Sequence, residues 1–127
     1  MNDSLKILVV EDDEDTRGPL VFLLRKRGYN VLEASKGSEA LDIMGKEKPD
    51  IVFLDIQLAD NMNGIEVLRK TREVSLETKV IIMSAYREEY MQQTEELGAY
   101  SFLKKPILKI DQLTNLIEEI RKKKNLS

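Results

Sequence analysis

The chain contains no cysteine, so no disulfide framework can staple it and no thiolate metal site can form. Histidine is absent too, which removes the commonest general base, imidazole metal ligation and any phosphoryl group carried on a histidine of this chain. No apolar run is long enough to span a bilayer or to serve as the hydrophobic region of a signal peptide. The expectation is a soluble cytoplasmic protein with no membrane partner. The 20 Lys and Arg residues against 23 Asp and Glu give a formal net charge of −3, which argues against the broad basic footprint of a nucleic-acid binder. The one basic cluster, Arg121 to Lys124, falls at the end of the last predicted helix, where cations complement the helix dipole.

With 127 residues, 42% of them hydrophobic, the chain is expected to form a single domain over residues 1–127. Five short apolar runs, "KILVV", "YNVLEA", "DIVFLD", "KVIIMSA" and "SFLKK", read as strands by length and β-branched content. Between and after them, segments such as "GSEALDIMGKE" and "IDQLTNLIEEIRKKK" space apolar residues three and four apart, giving five predicted helices. Gly28 and Gly98 stand where helix C-caps are expected. Strict alternation of strand and helix implies right-handed crossovers and a doubly wound, five-stranded parallel sheet with helices on both faces.

Ligands bind such sheets at the carboxyl ends of the strands, so the residues delivered there matter most. The first strand runs into Glu11, Asp12 and Asp13, the third ends at Asp55, the fourth at Ser84 and Ala85, and the fifth at Lys104 or Lys105 before Pro106. Each alone has an ordinary reading as cap, turn residue or solvated charge. Together they bring carboxylates, a hydroxyl and an ammonium to one edge.

The pieces "ILVVEDDEDTR", "PDIVFLD", "NGIEVL", "VIIMSA" and "LGAYSFLKKP", in this order from about Lys6 to Lys123, resemble the receiver domains of two-component response regulators, of the chemotaxis-regulator kind. The resemblance implies a flavodoxin-like strand order of 2-1-3-4-5. It also implies that Asp55 is the phosphoacceptor, that Asp12 ligates Mg²⁺ directly and Glu11 through water, and that the main-chain carbonyl of Gln57 adds a further ligand. By the same resemblance Ser84 and Lys105 contact the phosphoryl group, and Phe102 is the aromatic residue that changes rotamer on activation. The donor would be a histidine kinase or a histidine phosphotransfer protein, the recipient a downstream effector or output domain, and the face from the fourth to the fifth helix a surface for phosphorylation-dependent homodimers. Gln57 and Tyr86 would flank the path of a hydrolytic water.

The chemistry supports this reading on its own terms. A carboxylate and a phosphoryl donor are both negative, so a cation must stand between them, and crowded hard oxygen ligands suit Mg²⁺. Asp13 lies one step outside the acidic pair, as the expected N-cap of the first helix. Strand alternation and the adjacent proline favour Lys105 over Lys104 as the inward lysine. The chain would thus be a signalling phosphoacceptor, with no enzymatic role beyond its own phosphorylation and slow dephosphorylation.

Three features depart from the family pattern. Gly64 stands nine positions after Asp55, one more than usual, and Ala59 occupies a place where proline is common. Gly18-Pro19 falls inside the first predicted helix, where a kink or late start is expected. The main alternative is a phosphate-independent, receiver-like interaction module. A phosphohydrolase would want a second carboxylate where Gln57 stands, and a flavin or nucleotide carrier would want an anion cradle where "EDDED" would repel phosphate.

Overall fold

The structure, a computed structural model, describes residues 5–58 and 62–126. Strands β1 (Lys6–Val10), β2 (Asn30–Ala34), β3 (Ile51–Asp55), β4 (Lys79–Ser84) and β5 (Ser101–Lys104) alternate with helices α1 (Glu14–Lys26), α2 (Gly37–Glu47), α3 (Gly64–Val74), α4 (Arg87–Glu96) and α5 (Asp111–Leu126). The strands form one sheet in the order β2-β1-β3-β4-β5, every pair parallel. This is the flavodoxin-like order. Ala59 and the two positions after it, 60 and 61, lie outside the described residues. Among the described residues, no helix is long and apolar enough to cross a membrane.

The central strands are apolar at almost every position because helices cover both faces of the sheet. Ile7, Val9, Ile51, Phe53, Ile81 and Met83 pack with Leu20 and Leu24 of α1 and with Leu113 and Ile117 of α5. Leu8, Val10, Val52, Leu54, Val80 and Ile82 pack on the other side with Ala40 and Met44 of α2 and with Val67 and Leu68 of α3. The register aligns Val9 with Phe53, Phe53 with Ile81 and Met83 with Leu103. Side chains two residues further on therefore leave the same face at the carboxyl edge.

Helix α1 does not start late. It begins at Glu14 and continues through Pro19 to Lys26, because the Asp13 carboxylate caps it by accepting from the Asp15 N–H at 3.3 Å and from the Thr16 hydroxyl at 2.6 Å. Glu14 and Asp15 in the first turn complement the dipole. Pro19 therefore falls inside an established helix, where it withholds one N–H. Gly28 and Gly98 follow the ends of α1 and α4 with φ of 93° and 96°, the left-handed conformation that suits glycine.

Gly64 has a different task. Its N–H donates to the Ile56 carbonyl at 2.8 Å, and a Cβ there would meet the Asp55 carbonyl oxygen at 2.4 Å and the Ile56 Cα at 2.5 Å. Only glycine lets the first turn of α3 close against the end of β3. Gly64→Ala should lower the unfolding free energy by about 1–3 kcal/mol through overpacking. Gly45→Ala, at an exposed position of α2 with nothing within 4 Å of the added methyl, should raise it by about 0.5–1 kcal/mol. Chemical denaturation of the two variants checks both signs.

Candidate functional site

The register explains which side chains meet at the carboxyl edge. Glu11 follows β1 two residues after Val9, Asp55 follows Phe53 by two, and Lys105 follows Leu103 by two. All three thus extend the face that packs under α1 and α5. Lys105 Nζ lies 2.5 Å from Glu11 Oε1 and 3.1 Å from Asp55 Oδ2, whereas Lys104, of opposite parity, is exposed. Glu11 and Asp55 are 1% and 4% exposed, so this ammonium is the immediate counter-charge for two buried carboxylates.

Asp12 joins them. One carboxylate oxygen from each of Glu11, Asp12 and Asp55 lies within 4.8 Å of the others. Burial pushes the Glu11 carboxyl above its ordinary range, the Lys105 ammonium pulls it back, and the Asp55 charge pushes it up again. Burial and the Glu11 charge likewise raise Asp12. Burial disfavours the charged form of Lys105, but the hydrogen bond to Glu11 and the Asp55 charge outweigh it, so the lysine is held above its ordinary value. Asp13 is lowered, chiefly by the Thr16 hydroxyl, and serves the helix cap outside the cluster. The donor set fits a hard divalent cation: several carboxylate oxygens crowded together, with one lysine beside them.

Of the remaining expected residues, Gln57 touches this cluster, while Ser84 and Phe102 belong to the opposite face of the sheet. The Gln57 N–H donates to Asp55 Oδ1 at 3.2 Å, which bends the chain back toward the carboxylate, while the Gln57 side chain is exposed. Ser84 is buried, and its Oγ accepts from the Tyr86 N–H at 3.0 Å. Phe102 pairs in register with Ile82 and is partly buried against the face shared with α2, α3 and α4. Ser84 stands two residues beyond Ile82, so Ser84 and Phe102 are diagonal neighbours on that face. Tyr86 is half exposed at the start of α4.

Sequence reasoning missed two contributors. Gly64 was noticed only for its spacing, yet it sets how closely α3 approaches Asp55. Arg17, whose Nη1 donates to the Glu11 carbonyl at 2.7 Å, gave no local signal because its other partner, Glu33, lies on β2.

The response regulator receiver domain family matches residues 7–118 of the chain. The chain belongs to this family. Among its relatives, sporulation initiation phosphotransferase F of Bacillus subtilis (strain 168) is 38% identical over 115 residues, which are 90% of this chain and 91% of that protein. The alkaline phosphatase synthesis transcriptional regulatory protein PhoP of the same organism is 39% identical over 102 residues, 80% of this chain but 42% of that protein. The solved receiver domain of NtrX from Brucella abortus superposes with a TM-score of 0.83 at 30% identity, covering 90% of this chain and 96% of that one. A two-component response regulator from Clostridium difficile superposes with a TM-score of 0.88 at 25% identity, covering 96% and 99%. This receiver therefore spans nearly the whole of one curated relative and less than half of another.

The electrostatics of this receiver's cluster can be tested without any phosphoryl donor. In metal-free buffer Asp12→Asn, which removes one of the repelling charges, should raise the melting temperature by a few degrees, since about 1 kcal/mol is worth about 4 °C in a domain of this size. Lys105→Met should lower stability by about 3–5 kcal/mol by leaving Glu11 and Asp55 uncompensated. Thermal denaturation of both variants with a chelator present measures the two opposite shifts.

Proposed function

We propose that this receiver is a Mg²⁺-dependent phosphoacceptor that takes a phosphoryl group onto Asp55. The reading is carried by one observation: the Asp55 carboxylate, buried at a strand end, touches Lys105 and converges with Glu11 and Asp12. The name of the relative spanned over 91% of its length, a phosphotransferase, agrees with it. Glu11, Asp12 and Asp55, with the Gln57 carbonyl, would hold the cation. Bound there, Mg²⁺ supplies the positive charge that offsets the carboxylates and the entering phosphoryl oxygens.

The chain's own residues do the rest. An Asp55 oxygen attacks phosphorus, and the new O–P bond forms as the P–N bond of a phosphohistidine donor, or the P–O bond of a small acyl phosphate, breaks and its electron pair leaves with the donor. Asp55 is ready for this because Lys105 and the Gln57 N–H orient its two oxygens. Lys105 exchanges a carboxylate partner for a phosphoryl oxygen, which a compact ammonium on a flexible stem does readily. Ser84 gives up the Tyr86 N–H to reach the phosphoryl group, and Phe102, its diagonal neighbour, turns into the space vacated. The α4-β5-α5 surface changes shape as a result and is read by an effector or output domain. Gln57 and Tyr86 set how readily water reaches the acyl phosphate and hence its lifetime. The phosphoryl donor is a histidine kinase or a histidine phosphotransfer protein, consistent with a chain that carries no histidine of its own.

Incubation with Mg²⁺ and a small acyl phosphate, followed by intact mass analysis, should show one phosphoryl adduct, lost in Asp55→Asn and with a chelator. Absence of an adduct in the unsubstituted chain would refute the phosphoacceptor role and leave a phosphate-independent docking module. Phe102→Ala should still take up the adduct but lose the difference in partner affinity between the two states. An unchanged difference would remove Phe102 from the switch.

A further inference from the structure

The acidic cluster rests on a second layer of charge. Arg17 of α1, only 15% exposed, donates from Nη1 to the Glu11 main-chain carbonyl at 2.7 Å and from Nε to Glu33 Oε1 at 2.9 Å. Glu33 on β2 is approached by Arg25 Nη1 at 3.7 Å. Arg25 in turn donates from Nε and Nη2 to the Val31 carbonyl at 3.2 and 2.7 Å. On the other side, the Glu11 N–H donates to the Ala34 carbonyl at 3.0 Å. The Glu11 backbone is therefore held from both ends: its N–H by the main chain of β2, its carbonyl by a guanidinium that β2 itself orients.

That carbonyl belongs to the peptide joining Glu11 to Asp12, the two residues that contribute two of the three clustered carboxylates. The planar fork of Arg17 reaches a carbonyl through one nitrogen and a carboxylate through another, a geometry that a lysine cannot reproduce. Fixing the plane of the peptide restricts the directions in which both side chains leave the chain. We propose that Arg17, aligned by Glu33, is a positioning residue that sets the affinity of the cluster for a divalent cation. The inference rests on the metal-site reading given above.

The sign of the effect separates this role from simple charge. Removing a cation from close to the cluster should, on electrostatics alone, tighten the binding of another cation. Loss of positioning should weaken it. A merely structural role would lower the melting temperature and leave Mg²⁺ affinity untouched.

The test is a titration of the full chain with Mg²⁺ alone, at constant ionic strength and well below the melting temperature. Backbone amide shifts of Asp12, Asp13 and Gln57 report binding in the unsubstituted protein and in Arg17→Met, Arg17→Lys and Glu33→Ala. The dissociation constant should rise about tenfold in Arg17→Met, as for residues that orient metal ligands elsewhere. A smaller rise is expected in Arg17→Lys and Glu33→Ala, which keep the charge or the fork but not both contacts. Unchanged or tighter binding by Arg17→Met overturns the proposal. Should that variant fail to fold, unchanged affinity in Arg17→Lys, which keeps the charge, overturns it and a weakened one supports it. Failure of the unsubstituted protein to bind Mg²⁺ would overturn the metal-site reading itself and the inference with it.

Discussion

Carboxylates from Glu11, Asp12 and Asp55 converge within 4.8 Å, and they can do so in a folded chain because the Lys105 ammonium stands between two of them. Burial is the largest influence on Glu11, Asp12 and Lys105 alike, and it penalises the charged form of each. Attraction to its two partners more than offsets that cost at Lys105, whereas Glu11 and Asp12 stay above their ordinary range. The result is an edge of the sheet that folds around an unresolved excess of negative charge. Such a cluster of hard oxygen donors fits a divalent cation.

The arrangement depends on the sheet more than on any loop. β1 and β3 are direct neighbours, so Glu11 and Asp55 emerge side by side, while β5 lies two strands from β3 across β4. A long side chain is needed to reach across that gap, and lysine is long enough to do so while keeping part of its stem packed. Parallel strands send every carboxyl end to the same edge, so chemistry contributed by residues far apart in sequence is assembled there without special loop geometry. Gly64 completes the edge by letting α3 approach the Asp55 backbone closely.

Most of this could be read from the chain because parallel sheets buried on both faces leave a strong trace. Continuous apolar runs such as "DIVFLD" mark the strands, and the charged residues at their ends cannot be part of the core. Strand parity distinguished Lys105 from Lys104 for the same reason. Less legible was anything set by one element's approach to another. The Asp13 cap of α1 was legible, whereas Gly18-Pro19 spoke locally for a kink or late start, and the cap and acidic first turn set the start at Glu14 regardless. The tight seat of Gly64 depends on where α3 crosses the end of β3, and the hold of Arg17 on Glu11 depends on β2 lying beside β1. Neither is a property of a local window of sequence.

The most direct test of the central claim is a crystal structure grown with Mg²⁺ and beryllium fluoride, a mimic of the phosphoryl group. The expected result is a metal ion among the oxygens of Glu11, Asp12 and Asp55, fluoride density joined to the Asp55 carboxylate, and Lys105 withdrawn from Glu11 toward the fluorides. Lys105 still bridging Glu11 and Asp55, with neither metal nor fluoride bound, would contradict it.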